Sequence, residues 1–310
     1  MGCLFAVLAS AFIALAPPVA RATEALALAE VASGIFVHHG AYEDVSAGNR
    51  GDIANLGFVV GEKGVAVVDT GNTLALGQSL RAAVKSKTDL PILFVVNTHG
   101  HPDHYFGDAA FQADHPQFVG HEKLGKWIAF KTRYYLETLK TFAGADAAKG
   151  IEAIAPTLTV KAGQAIELDL GGRTLTITGY PAAHTDNDVT VLDSKTHTLF
   201  TGDLLFVERV PSLDGSILGW LKAISALKKV GAERAVPGHG PASVPWPKAI
   251  EPEQRYLEVL VADIRKIQKA HGTIEEATQK AGIEEQGNWA LFDDYNARNV
   301  TGAFVELEWE

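Results

Sequence analysis

The chain has 310 residues, 47% of them hydrophobic, and a formal net charge of −10. That length and apolar content are ample for a sizeable core, in one domain or two. The acidic balance, with no long lysine or arginine run, excludes a nucleic-acid grip built on phosphate contacts.

In chain order, Cys3 to Ala16 is apolar, Pro17 and Pro18 close it, and Ala20-Arg21-Ala22 offers a small-x-small cleavage site. The stretch is shorter than the ~20 residues a spanning helix needs. It predicts a signal peptide over residues 1–22 and an exported chain over 23–310, periplasmic or secreted, with no stable membrane insertion after cleavage. No Lys or Arg precedes the apolar run, which departs from the usual signal pattern. Cys3 is the only cysteine, so a chain starting near Thr23 has no disulfide, no thiol nucleophile and no thiolate ligand. Any metal must be held by nitrogen and oxygen.

Gly34 to Gly40 reads as extended. Asn55 to Val60 and Val65 to Asp69 flank the turn Gly61-Glu62-Lys63-Gly64 and predict a hairpin. Leu74 to Lys85 has helical spacing. Pro91 to Val96 is a buried-type strand running into T-H-G-H-P-D-H, and a short helix is expected from about Gly107 to Ala113. Lys123 to Thr141 reads as a long amphipathic helix. Its aromatics, Trp127, Phe130, Tyr134 and Tyr135, are spaced for core packing, with a substrate groove as the alternative. Strands follow at Ala165 to Leu170 and Arg173 to Thr178 around Gly171-Gly172, then at Val189 to Asp193 and Thr198 to Thr201. Gly219 to Lys229 is helical, Ala235 to Pro237 is a short strand, and Pro252 to Ala270 is a long helix. Hairpins need antiparallel neighbours, which argues against a purely parallel sheet. The expectation is an α/β fold: two mixed sheets face to face with helices outside, over 23–310 as a single domain.

Three histidines and an aspartate fall within the six positions His99 to His104. In an extended or turning loop, His99 and His101 point to one side and can chelate one ion, while adjacent Asp103 and His104 can serve a second. Further candidates stand just past strands beside small residues: His184 in Y-P-A-A-H-T, Asp203 in F-T-G-D and His239 in P-G-H-G. His38, His39, His115, His121, His197 and His271 carry no such context and read as surface or cap residues.

This set resembles the metallo-β-lactamase superfamily. Asp69 in V-V-D-T-G, His99 to His104, His184, Asp203 and His239 match five of its motifs in order, across roughly residues 55 to 240. The resemblance implies the αββα sandwich and roles residue by residue. His99, His101 and His184 would hold one metal, and Asp103, His104 and His239 the other. Asp203 would bridge, Asp69 would steady the ligand loop, and Asp103 would also orient the hydroxide in catalysis. Tyr105 and Phe206, which follow ligands directly, are expected on the substrate wall. Aspartate at 203, where many true β-lactamases of the superfamily place Cys or Ser, resembles the glyoxalase II and lactonase branches. The strings 201–220, 236–241 and the ending R-N-V-T-G-A-F-V-E-L-E-W-E are similar to the quinoprotein relay system zinc metallohydrolases. That likeness implies a functional link to quinoprotein dehydrogenases.

The implied chemistry is hydrolysis of an ester, thioester, lactone or amide in a small molecule. Two Zn²⁺ ions ~3.5 to 4 Å apart would share and activate one water. Three alternatives stand beside it. One is a mononuclear iron persulfide dioxygenase on the same residues, since His and Asp also suit non-haem iron. Another is a class B β-lactamase. The last is a metal-binding scaffold without turnover.

Overall fold

The structure, a computed structural model, describes residues 24–309. The expected signal segment, 1–22, lies outside the described residues. No helix among the described residues is long and apolar enough to cross a membrane.

The first sheet holds β1 (Ala29–Ala32), β2 (Ile35–His38), β3 (Leu56–Val60), β4 (Val65–Val68), β5 (Ile92–Val96), β6 (Gln117–His121) and β7 (Leu158–Val160), in that spatial order. Strands β1 to β4 run antiparallel and β4 to β7 parallel. The parallel part requires crossovers, and the first is helix α1 (Leu74–Lys87). Thr73 caps α1, its hydroxyl accepting from the Leu76 N–H at 3.1 Å.

The second sheet runs β8 (Ala165–Asp169), β9 (Thr174–Gly179), β10 (Val189–Asp193), β11 (Thr198–Phe206), β12 (Arg234–His239), β13 (Val244–Pro245). Its one parallel pair, β11 with β12, is joined through α4 (Ile217–Leu227). Helices α5 (Glu251–Lys269), α6 (Ile274–Lys280) and α7 (Phe292–Glu308) complete the outer layer on this side.

Alternation along the strands sorts the core into layers. On β4, Ala66 and Val68 face the second sheet and pack with Val37, Val96, Ile177, Val191 and Val236. Val65 and Val67 face outward onto Leu80 and Val84 of α1. On the far side, Leu199 and Leu205 meet Trp220 and Ile224 of α4 and Leu257 and Leu260 of α5. Two mixed sheets with helices on both faces are therefore the architecture, as expected.

Several local readings are corrected. The short helix expected at 107–113 is a 3₁₀ turn, Asp108–Asp114, and one α-helical turn, α2 (Pro102–Tyr105), sits inside the histidine motif. Strand β11 does not stop at Thr201. Register shifts at Gly202 carry it on to Phe206, so Asp203 lies within the strand rather than after it. Helices α6 and α7 carry no signal strong enough to be read in advance. The long middle helix is α3 (Leu124–Ala143). Its aromatics do not pack into the core as a set: Phe130 is 81% and Tyr134 65% exposed, while Tyr135 is buried. His39, His115, His197 and His271 are exposed as read, but His38 and His121 are buried. His38 holds Asp52 at 2.8 Å and the Ala27 carbonyl at 3.0 Å.

Candidate metal centre

The site lies at one rim of the sandwich, where β4, β5, β11 and β12 end. Asp69, just past β4, adopts the left-handed region at φ 58°, which aspartate tolerates better than most residues. Its carboxylate accepts from the Thr98 N–H and hydroxyl, each at 2.8 Å, and faces His104 Nδ1 at 2.8 Å. Thr98 then leads into the bend His99-Gly100-His101. Pro102, with its missing N–H, starts α2 at a position where no partner is lost. Gly100 is required by its neighbour. A Cβ there would stand 2.2 Å from Trp127, whose indole donates to the Gly100 carbonyl at 2.7 Å.

Two donor groups result: His99, His101, His184 and Asp203, and beside them Asp103, His104 and His239. Within the first, His101 Nδ1 lies 3.1 Å from His99 Nε2 and 3.0 Å from His184 Nε2. Within the second, Asp103 Oδ2 lies 3.6 Å from His104 Nε2 and 3.3 Å from His239 Nε2. Asp203 belongs to both. Its Oδ1 is 3.3 Å from His104, and its Oδ2 is 3.4 Å from both His184 and His239. A Cβ on Gly238 would fall 1.9 Å from Asp203 Oδ1, so β12 approaches the carboxylate as closely as it does only through glycine.

The outer ring nitrogens fix the tautomers. His184 Nδ1 faces the Ser212 carbonyl at 2.6 Å, His239 Nδ1 the Ile53 carbonyl at 2.8 Å, and His101 Nε2 the Asp214 carboxylate at 3.1 Å. His104 Nδ1 faces Asp69, and His99 Nδ1 faces the Thr98 hydroxyl, whose own proton is given to Asp69. Every outer nitrogen meets an acceptor; at His239 the Ile53 carbonyl, at 2.8 Å, is nearer than the Arg209 guanidinium, at 3.0 Å, and assigns the hydrogen to Nδ1. Five inner nitrogens and two carboxylates then turn lone pairs toward one small space, with no donor among them. His104 Nε2 and Asp203 Oδ1 are buried without any hydrogen-bond partner. Such a set is self-repelling until a cation enters, and imidazole with carboxylate is the donor chemistry of borderline divalent metals. The residues fit a metal.

The electrostatics agree. Burial pushes His99 well below the usual imidazole value, with the neighbouring His104 charge adding to it, and burial takes His184 down to about 3. Both are ready as neutral ligands. For His104, burial is the largest single influence and lowers it, yet the charges of Asp203, Asp103 and Asp69 together hold it well above its ordinary value. Burial raises Asp203, but His239, His104 and His99 outweigh it and keep the carboxyl well below its usual range. Asp103 is depressed in the same manner, against burial, chiefly by His104 and His239. The carboxylates are anions that demand positive charge, which a bound cation would supply.

Other expected residues are placed differently. Phe206 lines the cleft above the donors and stacks on the His239 ring at 5.1 Å. Tyr105, expected on the same wall, is fully buried behind the motif with its hydroxyl 3.0 Å from Thr132. It follows His104 on a helical turn, which swings it about 100° away from the ligand direction. Several neighbours were not foreseen. Asp214 orients His101, and Trp220 packs 5.3 Å from the His184 ring. Arg209 places its guanidinium 3.0 Å from His239 Nδ1 and reaches Asp44 and the Tyr295 hydroxyl. Asp108, behind the motif, accepts from Thr70 and Asn97, and burial raises its carboxyl to about 8. Arg209, Asp214 and Trp220 all fall in the stretch 201–220 that marked the closer likeness, but no local pattern assigns them to a ligand.

Fold and donor set together define a metal-dependent hydrolase of the two-sheet type. The sequence profile described as "Metallo-beta-lactamase superfamily" matches residues 49–239, and the chain belongs to that superfamily. Among solved structures, it is similar to a metallo-beta-lactamase from Pontibacter korlensis (22% identity, 75% of this chain and 99% of that one, TM-score 0.58). It is also similar to one from Hirschia baltica (19% identity, 76% and 98%, TM-score 0.57). A double mutant of the sec-alkyl sulfatase PisA1 aligns at 15% identity over 82% of this chain and 45% of that one, with TM-score 0.62. These identities speak to the fold alone. No curated protein matches the chain.

Proposed function

We propose that the chain is an exported dinuclear zinc hydrolase that cleaves an ester, thioester, lactone or amide in a small-molecule substrate. The observation that carries this reading is the convergence of five imidazole lone pairs on two ionised aspartates, arranged as two donor groups that share Asp203. Dications held by these two donor groups would supply Lewis acidity and lower the pKa of a bound water. The chain's own residues do the rest. Asp69 and Asp214 hold the tautomers of His104 and His101, keeping their inner nitrogens free of hydrogen. Asp103, ionised and within the second donor group, would orient the attacking water. Phe206 and Tyr135 narrow the approach, and the cleft above them, about 310 Å³, is of small-molecule size. Lys131 and Arg298 on its walls offer charge for an anionic group on the substrate.

Export rests on the segment 1–22, and the link to quinoprotein dehydrogenases rests on the strings at 201–220 and 236–241 and the C-terminal ending. Aspartate at 203 weighs against β-lactams as the natural substrate. The deciding experiment is metal analysis of residues 23–310 purified from a periplasm without added metal. About two zinc ions per chain support the proposal, and a panel of lactones, thioesters and β-lactams then follows. About one iron overturns it in favour of persulfide oxidation.

A further inference from the structure

Three of the six most exposed large apolar side chains among the described residues lie on one helix: Phe130 (81%), Tyr134 (65%) and Phe142 (59%) of α3. Trp127, Phe130 and Tyr134 stand three and four residues apart and share a face. Basic residues surround them. Lys123, Lys126, Lys131, Arg133 and Lys140 stand against Glu137 within 123–143 of a chain whose net charge is −10; Lys123 is paired with Asp186 at 3.3 Å, so the basic excess beside the strip rests on Lys126, Lys131 and Arg133. Glu137 is already paired with Lys140 at 2.8 Å. Lys131 folds its ammonium over the Trp127 ring at 5.0 Å, leaving its aliphatic stem along the aromatic strip.

The strip is anchored to the metal centre from behind. Trp127 donates to Gly100, between His99 and His101, and its ring lies 6.2 Å from that of His101. Tyr134 and Lys131 continue from the strip into the wall of the cleft. The exposed face and the cleft mouth are therefore one surface.

We propose that this face of α3 seats the protein on a lipid bilayer bearing anionic headgroups, with the cleft opening at the membrane surface. Aromatic rings prefer the boundary between headgroup and acyl chain, and flanking lysines draw in anionic lipid. The charge distribution selects this occupant. A second copy of the chain would bring like-charged faces together. The rest of the molecule is acidic, so an anionic bilayer attracts this face and repels the others.

The test is co-sedimentation of residues 24–310 with vesicles. This piece holds both sheets and every described helix, and it omits the apolar stretch Cys3 to Ala16, which would bind lipid by itself. Vesicles of phosphatidylcholine mixed with phosphatidylglycerol should bind it about tenfold or more tightly than phosphatidylcholine alone, and less so as salt is raised. Phe130→Ala should weaken binding several-fold, and the double variant Lys126→Glu/Arg133→Glu should abolish it. These side chains are exposed, so melting temperatures should stay close to the parent. Trp309→Ala, at an 84% exposed aromatic on the end of α7, should change nothing. In the parent, amide exchange over residues 123–134 should slow on mixed vesicles. Absence of binding, binding indifferent to lipid charge, or equal losses in Trp309→Ala overturns the proposal. So does self-association without lipid that Phe130→Ala abolishes, which would assign the face to a second copy.

Discussion

Asp69→Asn isolates the residue that holds the histidine motif in place. Asn tolerates the left-handed backbone at φ 58°, so the substitution changes hydrogen bonding and charge with little backbone cost. The carboxylate accepts three contacts at 2.8 Å: the Thr98 amide on Oδ1, and the Thr98 hydroxyl and His104 Nδ1 on Oδ2. An amide can keep its oxygen toward the Thr98 N–H only by turning its NH₂ toward His104. His104 must then accept at Nδ1, which moves its proton to Nε2, the nitrogen that faces Asp103 and Asp203. The variant has the wrong tautomer for a ligand. Loss of such a supporting contact weakens metal binding by about 10–100-fold, or about 1.4–2.7 kcal/mol. Zinc titration against a competing chelator should show the site containing His104 and His239 lowered by that factor, and the site containing His99 weakened as well, because the Thr98 hydroxyl that faces His99 Nδ1 loses its acceptor on Oδ2. Wild-type affinity at both sites in a folded Asp69→Asn protein would refute the tautomer argument.

Asp203→Ala should lower occupancy of both sites together, because its two oxygens reach His104, His184 and His239; full loading by metal analysis would contradict a shared ligand. His101→Ala should abolish turnover and empty the first donor group. Its melting temperature should stay near that of the metal-free parent, since the side chain is borne by a loop and packs no sheet. Retained turnover would remove His101 from the metal set. Asp114 supplies a pH dependence away from the site. Burial raises its carboxyl, but Arg81 and Lys85 outweigh that and leave it depressed. A depressed acid contributes stability above its unfolded value, ~3.9, and loses it as pH falls through the folded value. Asp114→Asn should therefore be less stable than the parent near neutrality and show a shallower loss in acid, read by thermal melts across pH.

Much of this molecule is legible locally. The turn at Gly61 to Gly64, the alternation in Val65 to Val68 and the glycines at 171 and 172 each specify their hairpins through nearest-neighbour chemistry, and the pairings observed follow them. The density of imidazole in His99 to His104 marks a metal motif because few other purposes need it. Other features depend on residues far apart in the chain. Gly238 lets β12 close on Asp203, and a shift of register along β11 decides that Asp203 points at both donor groups. Periodicity places Trp127, Phe130 and Tyr134 on one face of α3 but is silent on whether that face meets core or solvent, since a helix repeats equally well either way. The same holds for His38, covered by the segments that carry Ala27 and Asp52, for His121, buried beside Gly179 of β9, and for Tyr105, turned away by one helical turn after Pro102. Secondary structure and ligand identity follow from short-range pattern, whereas which side chains share a cavity is decided when the two sheets pack, because only that packing brings His99, His184, Asp203 and His239 within reach of one another.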